Sequence, residues 1–138
     1  MDLTLDEAGR IVDAALARGR EMGLAPLAVA VLDSGGHLRA FKREDDAGII
    51  RPQIAIGKAW GALGMGIGTR ALASKSPEFL AALGAMSGGK VVPSPGGVLI
   101  RAGERVIGAV GITGDTGDND EACAVAAIEA VGFSPDTG

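Results

Sequence analysis

The chain has few aromatic residues: one Trp, three Phe and no Tyr among 138 residues. Its core must be assembled from Ala, Val, Ile and Leu, and no aromatic platform is available for stacking nucleobases. The basic residues are scattered and the net charge is −4, which further argues against a nucleic-acid surface. The one cysteine, Cys123, cannot close an internal disulfide. There is no H-E-x-x-H motif, no cysteine pair and no Ser/His/Asp set in context, so zinc chemistry and triad hydrolysis are not expected. Nor does any apolar run reach the ~18 residues of a membrane helix. Arg51 and Lys58 interrupt the most hydrophobic stretch. Met1-Asp2 leads into a capped helix pattern rather than a signal peptide. The expectation is a cytoplasmic protein with neither membrane nor nucleic-acid partners.

Hydrophobic content is 47%, which is ordinary for a globular domain. The length fits a single domain over residues 1–138 with one core and a short flexible tail at about 134–138. Glycine is abundant, at 23 residues, more than twice the usual ~7%. Residues 49–68, IIRPQIAIGKAWGALGMGIG, hold the most telling pattern. On a helix, Ile56, Trp60, Leu63 and Ile67 share one face. Gly57, Gly61, Gly64 and Gly68 repeat the spacing one position on. Each helical glycine costs roughly 0.5–1 kcal/mol relative to Ala. Such a bare stripe points to something that approaches too closely for a Cβ: another helix, a second subunit or a flat ligand.

The remaining elements follow from periodicity and punctuation. Thr4 and Glu7 form a capping box before a helix with apolar Ala8, Ile11, Val12, Ala15 and Leu16. Residues 27–32 read as a central strand, and 37–42 return from the turn Asp33-Ser34-Gly35-Gly36 as a more exposed partner. After the glycine-striped helix, Phe79, Leu80, Leu83 and Met86 mark a second, short helix. Residues 98–102 and 105–113 form another hairpin, and a last helix spans about 119–131 with Asp118 as N-cap. Two β-hairpins separated by a helix pair, with helices at both ends, predict an α+β fold in which helices cover a mostly antiparallel sheet.

The motifs in order resemble the GlcG/HbpS-like family, which includes the C-terminal domain of PduO-type proteins. The resemblance rests on LTLDEAGRIVDAALARGREMG (3–23), AVLDSGGHLRAFKRED (30–45), the I-A-x-x-K-A pattern at 54–59, residues 96–100, 103–111 with Thr113-Gly114, and Asp120-Glu121. It covers almost the whole chain. It implies a five-stranded antiparallel sheet with helices packed on it, and a homo-oligomer, with octamers known. The ligand class most often assigned in the family is haem or a related tetrapyrrole. No axial ligand carries over by motif, so His37, Met65, Met86 and Cys123 stand as candidate iron ligands.

Several residues could carry chemistry. Residues 115–121, DTGDNDE, crowd four carboxylates around a helix start without the spacing of an EF-hand. Asp120 and Glu121, which also match the family pattern, are the acid–base candidates together with His37. Arg51, Lys58 and Arg70 are cations on or beside the glycine-striped helix and could hold a carboxylate; Arg43 is a further one. Thr113 and Gly114 could present backbone N–H groups to an anion, and Gly61 could let a flat ring lie against the helix. Trp60 reads either as core or as a ring that stacks on a ligand. Ser87-Gly88-Gly89-Lys90 lacks the spacing of a phosphate loop. Three functions accommodate these residues. The first is an oligomeric small-molecule binder whose pocket lies between the glycine-rich helix and the 113–121 loop. The second is an enzyme acting on a carboxylate-bearing metabolite, such as an aromatic-acid or muconate-like intermediate. The third is a glycine face that serves only to assemble the oligomer.

Overall fold

The computed structural model describes residues 2–138. The elements are α1 (Leu5–Glu21), β1 (Ala28–Asp33), β2 (Leu38–Arg43), α2 (Arg51–Met65), α3 (Thr69–Ala73), α4 (Pro77–Met86), β3 (Gly97–Ala102), β4 (Arg105–Thr113), α5 (Gly117–Ala130) and β5 (Ser134–Asp136). The strands form one sheet in the order β2-β1-β4-β3-β5, antiparallel throughout. This is the α+β architecture that the element order predicts, with the five antiparallel strands that the family resemblance implies.

Alternation along the strands divides the core. Val29, Val31, Val98, Ile100, Val110 and Ile112 pack under α1 and α5 with Ile11, Val12, Ala124 and Ile128. The opposite face presents Ala28, Ala30, Leu32, Leu99 and Ala109 to α2. A strand buried on both faces has no need of polar alternation, which is why residues 27–32 are almost wholly apolar. The capping box of α1 forms as expected: the Glu7 N–H donates to Thr4 Oγ1 and the Thr4 N–H to Glu7 Oε1.

The face of α2 differs from the sequence expectation. Ala55, Ala59 and Ala62 meet the sheet, while Ile56, Trp60 and Leu63 stay half-buried at its outer side. The sheet makes room with its own glycines. A Cβ on Gly111 would lie 1.9 Å from the Ala55 carbonyl oxygen, and one on Gly97 would lie 2.5 Å from that of Lys58. The glycine stripe of the helix answers to a different neighbour. Gly57 and Gly61 lie under residues 90–92, where Val91 and Val92 press against them and the Val92 N–H donates to the Gly57 carbonyl. The helix stops at Gly66, which is left-handed at φ 71°, before the stripe is complete. Gly64 faces open space, and Gly68 becomes the N-cap of α3 beside the Thr137 backbone.

Two boundaries also move. The last helix begins at Gly117 with Thr116 as its N-cap, accepting from the Asn119 N–H. Asp118 is left outside that role and pairs with Arg70. The tail expected to be flexible supplies the fifth strand: residues 134–136 pair with β3, and Arg101 Nε donates to Asp136 Oδ2 at 2.7 Å. Pro135 is tolerated because β5 is an edge strand.

Gly111→Ala will destabilise the fold by about 3 kcal/mol, as overpacking against backbone does. Gly9→Ala, on an open part of α1, will stabilise it by about 0.5–1 kcal/mol. Urea unfolding checks both. The Arg101 guanidinium holds the Asp136 carboxyl below its usual 3.8. Its contribution is therefore full above that value and fades as pH falls through the lowered one. The urea midpoints of the parent and Arg101→Ala will differ at neutral pH and converge below pH 3.8.

Candidate functional site

The candidate cations and carboxylates bind each other. Lys58 projects from α2 toward the end of β4, where Nζ donates to the Ile112 carbonyl at 2.8 Å and to Asp120 Oδ2 at 3.3 Å. Both groups are sealed, with Lys58 3% and Asp120 1% exposed. Burial pushes the Lys58 ammonium down and the Asp120 carboxyl up, and their mutual attraction opposes both shifts. Asp120 Oδ1 accepts the Asp115 N–H, so the carboxylate also orders the start of α5. Arg70 is occupied in the same way: Nε lies 3.0 Å from both Glu121 oxygens, and a second nitrogen meets Asp118. Hydrogen bonding to Asp118 and to Glu121 raises its pKa. Arg51 Nη1 donates to Thr113 Oγ1 at 2.8 Å.

These pairings correct the sequence reading. Of the expected anion clamp, Lys58 and Arg70 form ion pairs with the expected acid–base carboxylates Asp120 and Glu121 and tie α2 and α3 to α5, while Arg51 is held by the Thr113 hydroxyl. The expected anion seat at residues 113–114 is internal: Thr113 is buried, and a Cβ on Gly114 would lie 2.2 Å from the Pro26 carbonyl oxygen. Gly61 is covered by Val91 and Leu72 and cannot face a flat ring. Cys123 is fully buried, and burial, reinforced by the Asp120 charge, pushes its thiol up to about 11, so it presents no thiolate to iron.

Open space lies instead on the outer side of α2, around Trp60. A groove of about 330 Å³ is lined by Gln53, Ile56, Gly57, Trp60, Gly88, Gly89 and Lys90. A second, of about 220 Å³, is lined by Ser34, Gly35, Gly36, Trp60, Leu63 and Gly64. Trp60 is thus the wall between them. Lys90 Nζ stands 5.9 Å from its ring centroid, within cation–π reach. On the other side, a Cβ on Gly36 would lie 3.3 Å from Trp60 Cδ1, so the β1–β2 turn abuts the indole. Gly88 and Gly89 adopt φ of 68° and 80° with nothing near a would-be Cβ. They turn the chain after α4 and leave bare backbone at the groove wall. The larger space, about 440 Å³, lies among Arg20, Pro26, Arg43, Glu44 and Asp45. Two of its charges are engaged: Arg20 pairs with Glu44, and Glu44 accepts the Leu27 N–H.

Sequence alone leaves Trp60 between core and ligand wall, and it passes over Gly88-Gly89-Lys90 as a failed phosphate loop. The available signal is the pair of adjacent glycines before a lone lysine, but only the fold brings them to the indole. Asp33 reads from sequence only as a turn residue. Its Oδ1 accepts N–H groups of Gly35 and His37, each at 3.0 Å, and lies 3.1 Å from His37 Nδ1.

The comparisons agree with this architecture. A sequence model of the family described as "Haem degrading protein HbpS-like" matches residues 3–129, and the chain belongs to that family. It is 30% identical over 133 residues to the corrinoid adenosyltransferase PduO of Citrobacter freundii, covering 95% of this chain but 39% of PduO. The chain thus spans about two fifths of that relative. It is also 30% identical over 129 residues to an uncharacterised 15.0 kDa protein encoded between dhaT and dhaS in Citrobacter freundii, covering 92% and 90% of the two chains. Among solved structures, the PduOC:heme complex superposes with a TM-score of 0.89 at 27% identity, covering 97% of this chain and 98% of that one. A double mutant of Streptomyces reticuli HbpS gives 0.82 at 27% identity, covering 96% and 88%.

Lys58→Met or Asp120→Asn alone will each cost about 3–5 kcal/mol, because the remaining partner is left buried without its counter-charge. Replacing both with apolar residues of similar volume will recover much of that loss. Guanidinium denaturation of the three variants checks the pair.

Proposed function

We propose that this protein is an oligomeric small-molecule binder whose ligand is haem or a related tetrapyrrole, held in the groove beside Trp60. The observation that carries this reading is the groove itself: an apolar floor of Ile56 and Trp60, bare backbone at Gly57, Gly88 and Gly89, and one cation, Lys90, at the rim. A flat apolar macrocycle with pendant carboxylates asks for that combination. Among the described residues no group of three or more His, Cys, Asp or Glu could hold a bare metal ion. A tetrapyrrole needs no such cluster, because it brings its own four nitrogen donors. Family membership and the likeness to the PduOC:heme complex support the ligand class.

Self-association belongs to the same reading. Ile49 is 90% and Met86 76% exposed, and α4 buries none of its residues although it is largely apolar. A ten-residue helix gains little stability without a packed face, and a second copy of the chain would supply one. The family's octamer is one such assembly. A cytoplasmic location, expected from the sequence, is part of the same proposal. No helix among the described residues is long and apolar enough to cross a membrane. The use of Asp120 and Glu121 as acid–base groups finds no support in their geometry, since Lys58 and Arg70 hold both carboxylates.

Titration of the ligand-free protein with haem, followed by the Soret band and by oligomer mass, tests the reading. Uptake will saturate near one haem per chain or per subunit interface. Lys90→Glu will weaken it about tenfold, equivalent to about 1.4 kcal/mol, and Trp60→Ala will weaken it as well. Sloping uptake indifferent to both substitutions would sink the proposal.

A further inference from the structure

The cleft of about 440 Å³ among Arg20, Pro26, Arg43, Glu44 and Asp45 shares no lining residue with the two grooves beside Trp60. Glu44 builds its wall. The Glu44 N–H donates to the Leu27 carbonyl at 2.8 Å, and Glu44 Oε1 accepts the Leu27 N–H at 2.8 Å. Arg20 grips the same carboxylate with two nitrogens, Nε at 3.1 Å and Nη2 at 3.2 Å. Nη2 also donates to the Ala25 carbonyl at 2.9 Å. The end of α1, residues 25–27 and the end of β2 are thereby locked together around one two-pronged ion pair.

The residues on either side of Glu44 keep their charges free. Arg43 closes β2 opposite Ala28, and its one side-chain hydrogen bond is a long one, 3.4 Å to the Ala47 carbonyl. It has no carboxylate partner among the described residues. Asp45 has neither a side-chain hydrogen bond nor an ion pair among them. These unlike charges stand two residues apart and do not neutralise each other. The turn that carries Asp45 is fixed: the Ala47 N–H donates to the Glu44 carbonyl at 3.2 Å, with Asp45 and Asp46 at the central positions. Asp46 has φ 70°, the one positive value among the described non-glycine residues. Backbone of that kind is uncommon outside glycine and collects where a loop must hold a ligand group in place.

The lining states the chemistry of the occupant. The volume falls within the roughly 300–1,000 Å³ of small-molecule sites. Pro26 is the one apolar residue of the lining, so the cleft offers little to an apolar ring. Two arginines and two carboxylates balance, so the site has no net charge to favour a plain anion or a plain cation. The free guanidinium of Arg43 presents a planar fork of donors suited to a carboxylate. The Asp45 carboxylate accepts from an ammonium. We propose that this cleft binds a small zwitterion of the α-amino-acid class, its carboxylate on Arg43 and its ammonium on Asp45. The site is independent of whatever fills the groove beside Trp60.

The test uses the full chain, labelled with ¹⁵N and titrated with each of the common free L-amino acids. Propionate and ethylamine serve as probes that carry one charge each. At least one amino acid will shift the amide signals of residues 20 and 43–47 to saturation, and propionate and ethylamine will each bind at least tenfold more weakly. Arg43→Gln and Asp45→Asn will each weaken the amino acid at least tenfold. Both side chains are exposed and weakly held, so the urea midpoint and haem uptake will stay as in the parent. Failure of every amino acid to give saturable shifts in the cleft would overturn the proposal. Propionate binding as tightly as the best amino acid, or an affinity unchanged in Asp45→Asn, would overturn it as well and make the cleft a plain anion site.

Discussion

The closeness of α2 to the sheet is the constraint from which the rest of the structure follows. Ala55 and Lys58 put their carbonyl oxygens where side chains from β4 and β3 would otherwise stand, and Gly111 and Gly97 yield that space. Ala28, Ala30 and Ala109 keep the same sheet face shallow. A helix held this near the sheet cannot bury large side chains beneath itself, so Ile56, Trp60 and Leu63 are displaced to its outer side. There they line the two grooves instead of filling the core. The scarcity of aromatic residues and the excess of glycine are therefore two signs of one packing choice.

The same approach explains the buried Lys58. Its stem runs along the seam between α2 and the sheet, and its ammonium emerges at the end of β4, where Ile112 and Asp120 receive it. Replacing a buried pair with apolar residues is often neutral for stability, so what this one supplies is register. It joins α2, the end of β4 and the first turn of α5 at one point, and Arg70 joins α3 to the same helix through Asp118 and Glu121. The cluster of carboxylates at residues 115–121 is spent on holding the fold. The groups left near the indole are Lys90 on one side and the Asp33–His37 turn on the other.

Much of the fold was legible because it depends on local rules. The T-x-x-E box, the apolar run at 27–32, the D-S-G-G turn and the hairpin at 98–113 each carry their own signal, and each forms near its expected place. The misreadings share one cause. Gly57 and Gly61 do mark a close approach, but periodicity cannot say that the neighbour is Val91–Val92 of the same chain. Residues 134–136 look like a loose tail until β3 offers an edge and Arg101 an ion pair. Thr116 displaces Asp118 as the N-cap because Asp118 is drawn to Arg70, 48 residues away in sequence.

The sequence by itself determined the family, the α+β class, the hairpins and caps, and the set of residues able to carry charge. Those are properties of spacing and of neighbours a few positions apart. Only the tertiary structure decided which charges cancel and which stay free, and which side of α2 meets solvent. Those outcomes depend on distances between segments far apart in the chain. The partners Lys58 and Asp120, Arg70 and Glu121, and Trp60 and Lys90 are chosen by how closely one helix can lie on a glycine-lined sheet.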